Sequence, residues 1–305
     1  MKKDFYIPFE NENIHLIEWR PEGEVRAVLQ IVHGMIEYID RYDPFARFLC
    51  SQGIAVVGHD HPGHGKTAVD SASLGVIPRK GGSELLVRCA FRVTEHIEKE
   101  FLGVKKFILG HSMGSFVVRR YLTQYSSHVD GACIMGTGSM PIPVLSMGKL
   151  LATLISKIKG EAHPSKILTD ISFAGYNKRF PKKEGIHAWI SSDREVVKKY
   201  DNDPFCSYTF SAGGFGVLYD TIYALEKKRD FDKIRKELPV FVVAGEEDPV
   251  GAYGAGPAAC AKVLSETGLS DVTVKLYGGM RHEILNEKGK EAPYLDILNF
   301  IEKLI

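Results

Sequence analysis

The sequence contains neither a long apolar run nor a block of one charge. No stretch reaches the roughly 18 apolar residues of a membrane-spanning helix, and the two lysines at the N-terminus have no apolar segment behind them. Lys and Arg total 39 against 38 Asp and Glu, which gives a formal net charge of +1. This balance of charges, without a block of positive charge, gives no sign of the basic surface that nucleic-acid binding requires. We therefore expect a soluble cytoplasmic protein without a nucleic-acid partner.

Cysteine is scarce, and its spacing is irregular. The five residues are odd in number, far apart and mostly inside apolar segments: Cys50, Cys89, Cys133, Cys206 and Cys260. This pattern fits reduced core thiols better than disulfides or a metal site. Residues 60–65 are rich in His and Gly, but they lack downstream ligands at metal spacing and a P-loop lysine, so we interpret them as a turn. The sequence predicts neither a metal nor a cofactor.

Short β-branched runs alternate with longer helical patterns. Six runs are predicted to be buried strands: Val28–Val32, Ile54–Gly58, Phe107–Leu109, Ala132–Met135, Val240–Ala244 and Val272–Leu276. Helical spacing of apolar residues is found in Arg41–Gln52, Gly82–Lys99, Met113–Tyr125, Tyr219–Lys228, Pro257–Thr267 and Pro293–Leu304. The alternation predicts an α/β fold with a mostly parallel central sheet flanked by helices. Ile14–Trp19 and Arg26–Val32 predict an antiparallel hairpin that leads into the sheet.

The alternation stops after the fourth of these strands. Residues 137–210 contain helical and loop patterns without a convincing buried strand. We therefore expect a helical cap inserted between two parts of one core domain, residues 1–136 and 211–305. Residues 137–210 are called the cap segment below.

One helical pattern of the cap segment, Val144–Ile158, is apolar on most faces. Two interpretations remain open. The helix packs onto the main domain, or it is a lid that lines an acyl-chain site or makes transient contact with a lipid surface. In the second case Leu150 and Leu154 are the candidate substrate-binding residues.

The most specific motif of the chain is Gly110-His111-Ser112-Met113-Gly114. An apolar run leads into it and a helical pattern leaves it. A strand, a sharp turn and a helix in this order expose a serine hydroxyl, and the two flanking glycines let the backbone bend without a steric clash. The pattern predicts that Ser112 is a nucleophile.

A serine hydroxyl needs a general base, and the base needs an acid that orients it. Asp248 and His282 each follow a predicted strand, so both lie on loops at the C-terminal edge of the sheet, where active sites gather. His282 alone among the 11 histidines comes after both the nucleophile and the acid. Glu246 and Glu247 are rivals of Asp248. We predict that Ser112, Asp248 and His282 form a catalytic triad.

The tetrahedral intermediate of acyl transfer needs hydrogen-bond donors already in place. The backbone N–H of Met113 follows the nucleophile at a helix N-terminus, where the helix dipole also favours negative charge. A second donor is expected in the loop His33-Gly34-Met35, which follows the first parallel strand. We predict an oxyanion hole made by the N–H groups of Met35 and Met113.

Taken together, these motifs resemble the monoacylglycerol lipase and lysophospholipase branch of the α/β-hydrolase superfamily, which is sometimes grouped with serine aminopeptidases. The matching segments follow the family's order: Val32–Met35 with Glu37 and Arg41-Tyr42, Asp60–Gly65, Gly110–Gly114, Asn202–Pro204, Gly245–Asp248 and Gly279–Glu283. The resemblance implies the triad and oxyanion donors named above, a cap inserted after the sixth strand of the fold, and ester hydrolysis through an acyl-enzyme without a cofactor. Apart from Asn202–Pro204, the sequence of the cap segment cannot be matched to the family piece by piece.

The favoured function is that of a serine carboxylester hydrolase acting on small-molecule acyl esters such as monoacylglycerols or lysophospholipids. One alternative is an aminopeptidase-type amide hydrolase with the same triad, which needs an acidic pocket for the substrate amine. The acidic residues of the cap segment do not point to such a pocket: Glu161, Glu184, Asp193 and Glu195. The other alternative is a non-catalytic binding protein on this fold, for which a lost triad residue would be the usual sign.

Overall fold

An eight-stranded sheet lies at the centre of the computed structural model, which describes residues 1–10 and 12–305. Its strands are β1 Lys2–Phe9, β2 Glu12–Trp19, β3 Ala27–Val32, β4 Ile54–His59, β5 Lys105–His111, β6 Gly131–Met135, β7 Val240–Gly245 and β8 Val272–Tyr277. The spatial order is β1-β2-β4-β3-β5-β6-β7-β8. β2 runs antiparallel to both of its neighbours, and all other pairs are parallel. The predicted α/β class with a mostly parallel sheet is confirmed.

Helices cover both faces of this sheet. They are α1 Asp43–Ser51, α2 Gly82–Glu100, α3 Met113–Tyr125, α4 Ile142–Lys159, α5 Lys166–Ser172, α6 Arg194–Asn202, α7 Ala212–Glu226, α8 Ala255–Glu266 and α9 Glu291–Glu302. Side chains of β5 alternate between the faces: Phe107 and Leu109 pack with α1 and α9, whereas Ile108 packs with α2, α3, α7 and α8. This alternation explains why the strand reads as a continuous apolar run, since both of its faces are buried.

The predicted antiparallel hairpin is wrong. β2 pairs with β1 and β4, and β3 pairs with β4 and β5, so β4 separates the two segments that the sequence pattern joined. The predicted burial of the last strand is also wrong. β8 is the edge of the sheet, and three of its central residues are exposed: Thr273, Val274 and Lys275.

The parallel strands bring five distant loops to one edge of the sheet. Met35 follows β3, Ser112 follows β5, and Gly136 follows β6. Asp248 follows β7, and His282 follows β8. Because β3 and β5 to β8 run in the same direction, their carboxyl ends meet, and residues far apart in the sequence become neighbours.

The cap segment contributes α4, α5 and α6 to the side of the molecule above this edge. Leu145 and Ala152 are the buried residues of α4. Gly148 lies between them, and a Cβ there would come within 3.0 Å of the Tyr219 ring on α7. One face of α4 therefore packs closely on α7. The boundaries of the cap segment stay a prediction.

The helix predicted at Tyr219–Lys228 is α7. It begins earlier, at Ala212, and therefore includes the Gly-rich segment after Ser211. All five cysteines are free thiols, and only Cys50 is partly exposed. Within the described residues, no helix combines the length and the apolarity needed to cross a membrane.

Candidate active site

Ser112 lies on a sharp turn between β5 and α3. Its φ is +53°, a left-handed conformation that non-glycine residues rarely adopt and that costs about 1–3 kcal/mol. Close packing fixes the turn, since a Cβ on Gly114 would overlap the carbonyl oxygens of Val32 and His33 at the end of β3. The predicted strand, turn and helix are therefore present around Ser112.

His282 and Asp248 form a buried pair. The Nδ1–H of His282 lies 3.0 Å from each carboxylate oxygen of Asp248, and both side chains are buried. The N–H of Val250 donates to Asp248 (2.9 Å), and the N–H of His282 donates to the carbonyl of Trp189 (3.3 Å). A carboxylate that accepts from Nδ1 leaves Nε2 as the ring's acceptor. Of the rival carboxylates, Glu246 is exposed.

Ser112 and His282 both lie next to the segment Met135-Gly136. The N–H of Ser112 donates to the carbonyl of Met135 (3.0 Å), the residue before Gly136. A Cβ on Gly136 would lie 3.2 Å from Cε1 of His282 and 3.2 Å from Cδ2 of His111, so the chain passes close to both imidazole rings. Ser112 and His282 line the same cavity.

The loop after β3 lies directly against the serine. A Cβ on Gly34 would be 3.0 Å from Cβ of Ser112. Met35 and Met113, the predicted oxyanion donors, both line the cavity beside Ser112. Met113 is the first residue of α3, where the N–H groups have no partner within the helix. Both candidate donors therefore lie at the cavity next to Ser112, and their role in an oxyanion hole stays a prediction.

A network of buried charges lies beneath these loops, and sequence reasoning assigned it no role. Glu37 accepts from the N–H of Gly34 (2.5 Å) and from His111 (2.8 Å). Arg41 joins Glu37 (3.2 Å) to Glu283, which it contacts with two bonds of 2.7 Å. Because Glu283 follows His282, the network connects the loop after β3 to the histidine loop. The only signal in the sequence was that these residues fall within the family motifs.

Charge pairing in this network affects the pKa values of Glu37 and His111 more than burial does. Burial raises the pKa of Glu37, but the neighbouring His111 and Arg41 lower it by more, so its pKa falls to about 2. Burial lowers the pKa of His111, but the Glu37 carboxylate raises it by more, and the net shift is upward. Glu37 is therefore held as a carboxylate, and each charge in the network faces a partner of opposite sign.

Residues 60–65 form the predicted turn and lie next to the loop after β3. Asp60 accepts two backbone N–H groups at 2.8 Å. Asp60 also bonds His15 (2.7 Å), and it raises the pKa of that histidine against the effect of burial. Four more buried histidines lie in or near this turn, and burial lowers the pKa of each, to about 4 for His59 and His64 and well below 6.5 for His33 and His61. Among residues 1–10 and 12–305, no three His, Cys, Asp or Glu side chains are grouped to hold a metal ion.

A cavity of about 760 Å³ opens beside Ser112. Much of its wall is aromatic or aliphatic: Phe116, Phe173, Tyr176, Trp189, Leu218 and Ile222. Four carboxylates also line it, and each is paired with a cation or a histidine: Glu37 with His111, Asp170 with Lys166, Asp201 with His187, and Glu283 with Arg41. The cavity is thus a largely apolar chamber, and each of its four carboxylates has a basic side chain within 4 Å.

The structure contradicts the expectation that Leu150 and Leu154 line this cavity. Their exposed fractions are 59% and 47%, and neither side chain is part of the cavity wall. The reason is the packing of α4, whose opposite face is buried against α7. The two leucines belong to an outward-facing row of α4 that also includes Val144, Met147 and Ile158.

Comparison with known proteins identifies relatives of this chain in sequence and in structure. The chain is 24% identical to the monoglyceride lipase of Rattus norvegicus over 275 residues, which cover 88% of this chain and 79% of that protein. It is 24% identical to the monoacylglycerol lipase of Mycolicibacterium smegmatis over 295 residues, 93% of this chain and 90% of that protein. A solved structure of a thermostable carboxyl esterase from Bacillus coagulans, in complex with glycerol, is 25% identical with a TM-score of 0.87 and covers 99% of this chain and 98% of its own.

These similarities cover almost the whole chain and extend to three-dimensional structure, which confirms the α/β-hydrolase fold. The family model described as serine aminopeptidase, S33, matches residues 23–289. That range contains the serine turn, the buried Asp–His pair and the cap segment. The chain therefore belongs to this family of hydrolases.

Proposed function

We propose that this protein is a serine hydrolase that cleaves carboxylic esters with a single acyl chain, such as monoacylglycerols or lysophospholipids, through an acyl-enzyme. The observation that carries the proposal is the meeting of the strained Ser112 and the buried Asp248–His282 pair at one apolar cavity. The relatives named as lipases and the solved esterase support the ester class.

In the proposed mechanism, Ser112 Oγ attacks the ester carbonyl while Nε2 of His282 takes its proton. Asp248 keeps Nδ1 protonated and stabilises the imidazolium that forms. The oxyanion accepts hydrogen bonds from the N–H groups of Met35 and Met113. His282 returns the proton to the leaving alcohol, which leaves an acyl-enzyme. Water then attacks the acyl carbon while His282 takes its proton; the acyl–Oγ bond breaks, His282 returns the proton to Ser112 Oγ, and the carboxylic acid leaves.

The cavity supports an acyl chain better than a peptide N-terminus. Its wall is largely aromatic and aliphatic, so each methylene buried there contributes about 0.8 kcal/mol. An aminopeptidase requires an unpaired carboxylate to receive the substrate ammonium, whereas the cavity carboxylates Glu37, Asp170, Asp201 and Glu283 are all paired. Of the acidic cap residues considered above, Glu184 pairs with Arg281 and Asp193 caps α6.

Chemical labelling and kinetics test this function. A fluorophosphonate should label Ser112, and Ser112→Ala should lose both the label and at least a thousandfold in kcat on p-nitrophenyl butyrate. Ser126 lies at the other end of α3 and is buried, so Ser126→Ala is the matched control that should keep both. A Ser112→Ala loss below tenfold contradicts the proposal. Faster cleavage of amino-acid nitroanilides than of esters favours the aminopeptidase alternative, and labelling without turnover of either favours a binding protein.

We also propose that the cap segment makes transient contact with an anionic lipid surface. The outward row of α4 presents Met147, Leu150 and Leu154 to solvent. The cap segment carries eleven Lys and Arg against seven Asp and Glu, although the whole chain is almost neutral. Apolar side chains next to basic ones are the combination that binds the headgroup region of an anionic membrane.

Vesicle sedimentation tests this contact. The wild type should bind vesicles of phosphatidylcholine with phosphatidylglycerol, and the double change Leu150→Ser/Leu154→Ser should weaken binding without changing hydrolysis of a short, water-soluble ester. Leu295→Ser is the control, because Leu295 is a half-exposed leucine on α9, outside the cap segment. Equal binding by all three proteins contradicts the lipid contact.

A further inference from the structure

The loop that carries Met35 contains a second strained residue, Ile36. Its φ is +57°, and a β-branched side chain in this left-handed region is a genuine outlier that costs about 1–3 kcal/mol. Such strain persists only where surrounding contacts determine the backbone. The contacts of Ile36 and its neighbours therefore decide where the N–H of Met35 points.

From the core side, the loop is held at both ends. The Glu37 carboxylate accepts the N–H of Gly34 (2.5 Å), and the Asp60 carboxylate accepts the N–H of Ile39 (2.8 Å). Neither bond involves the backbone of Ile36 itself. The strained peptide lies between these two anchors.

From the cap side, two phenol hydroxyls join the loop to α6 and the residue that follows it. The hydroxyl of Tyr200 donates to the carbonyl of Ile36 (3.0 Å), and Tyr200 is buried with the Arg41 guanidinium 5.1 Å from its ring centre. The hydroxyl of Tyr38, at the end of the loop, donates to Asp203 (2.8 Å), which directly follows α6. Although the Tyr200 ring lines the cavity, its hydroxyl is committed to the loop backbone.

We propose that α6 of the cap segment clamps the oxyanion loop in its strained form and that Tyr200 is the positioning residue of this clamp. Loss of the Tyr200 hydroxyl frees the Ile36 carbonyl, so Ile36 relaxes toward negative φ. The peptide between Met35 and Ile36 then reorients. Because Gly34 is anchored by Glu37, the torsions of Met35 take up this change, and the Met35 N–H, which belongs to the preceding Gly34–Met35 peptide, moves away from the oxyanion. This inference rests on the proposed function, because it requires Met35 to be an oxyanion donor.

The test compares Tyr200→Phe with Tyr294→Phe. Tyr294 is also a buried tyrosine that donates to a backbone carbonyl, that of Leu285 (3.2 Å), but it lies on α9 away from the site. Removing one oxyanion donor outright costs about 10²–10³ in kcat. Displacing a donor should cost less, so we expect Tyr200→Phe to lose about 10- to 100-fold in kcat on p-nitrophenyl butyrate, with KM within about twofold of wild type. Tyr294→Phe should keep its kcat.

A trifluoromethyl ketone inhibitor provides a second measurement, because its adduct with a serine carries an oxyanion. Its inhibition constant should rise in Tyr200→Phe by about the same factor as kcat falls, while binding of the product fatty acid is unchanged. A purely structural role of Tyr200 would not weaken binding of the ketone while leaving binding of the fatty acid unchanged. A rise in KM with kcat unchanged would instead mean that Tyr200 contacts the substrate, and it would overturn the proposal.

Glycine at position 36 tests the strain itself. Glycine adopts positive φ without cost, so in an Ile36→Gly background the further change Tyr200→Phe should lower kcat by less than about threefold. Should Tyr200→Phe not fold, Tyr38→Phe removes the other phenol contact of the same clamp and should lower kcat with an unchanged melting temperature. Wild-type kcat in whichever of these two variants folds, with Ser112→Ala inactive, contradicts the clamp and leaves the proposed function standing. An active Ser112→Ala contradicts the proposed function itself.

Discussion

Substitution of Arg41 by methionine should be strongly destabilising. Arg41 and Glu283 have exposed side-chain fractions of only 12% and 6%, and they share two hydrogen bonds of 2.7 Å. Methionine keeps most of the aliphatic stem and removes the charge. Glu283 is then left with a single side-chain donor, the amide of Asn286 (2.9 Å).

The expected cost is about 3–5 kcal/mol in the free energy of unfolding, because removing one partner leaves the other charge buried and uncompensated. Arg88 and Glu10 provide the control pair. Their side chains are both 46% exposed, so Arg88→Met should cost about 0–1 kcal/mol. Urea denaturation followed by circular dichroism measures both values in the same buffer.

A double variant separates the lost attraction from the uncompensated charge. Arg41→Met/Glu283→Gln removes both formal charges, so it should be more stable than Arg41→Met alone. Equal costs for Arg41→Met and Arg88→Met would refute the reasoning, as would a double variant whose cost is the sum of the two single changes. Either result would mean that water reaches Arg41 and screens the pair.

Three further predictions concern the triad, the serine turn and the histidine cluster. Asp248→Asn should lower kcat by about a thousandfold or more, because an amide presents a donor where Nδ1 of His282 needs an acceptor. Glu247→Gln should keep kcat within a few-fold of wild type. The opposite ranking in ester kinetics would show that Asp248 is not the acid of the triad. Gly114→Ala should prevent folding or cost about 3 kcal/mol or more, since its Cβ overlaps the backbone of β3, whereas Gly23→Ala, which has open space around it, should change the urea midpoint little. The pKa values of His59 and His64 are about 4 in the folded protein, below the unfolded value of about 6.5, so the folded state resists protonation and stability falls as pH decreases from 6.5 toward 4.5. This linkage is worth roughly 2–3 kcal/mol for each histidine, and it is opposed by His15 and His111, whose raised pKa values add stability below pH 6.5; imidazole NMR signals of His59 and His64 that titrate near pH 6.5 in the folded protein would contradict it.

The parallel strands were predictable because their burial on both faces leaves a simple trace in the sequence. Within β5, Phe107, Ile108 and Leu109 are apolar without alternation, as expected for a strand covered by helices on both sides. The N-terminal strand β1 left no such trace, since most of its residues are exposed. The hairpin prediction failed because proximity in sequence does not determine which strands pair, and β4 enters the sheet between β2 and β3.

Some residues at the site were also predictable from the sequence, and others were not. Ser112 directly follows β5, and Asp248 and His282 lie on the loops after β7 and β8, so chain order and strand ends were sufficient to nominate them. Leu150 and Leu154 were misplaced because the apolar pattern of α4 does not reveal which face packs against α7. The pairing of Arg41 with Glu283 joins residues separated by 242 positions, and no local pattern encodes such a contact.

The strained backbone at Ser112 and Ile36 gives a physical reason for the charged side chains that are buried beneath this site. Ser112 and Ile36 both have positive φ and lie at the carboxyl ends of the adjacent strands β5 and β3. Apolar side chains of similar volume would stabilise the fold at least as well as a buried ion pair does, but they have no directional bonds with which to hold a backbone N–H. Glu37 does have them, because its carboxylate accepts from Gly34 while His111 and Arg41 hold it in place. Close packing around Gly114 holds the serine turn itself, whereas the N–H of Gly34 beside the serine is held by the directional bond of a buried carboxylate.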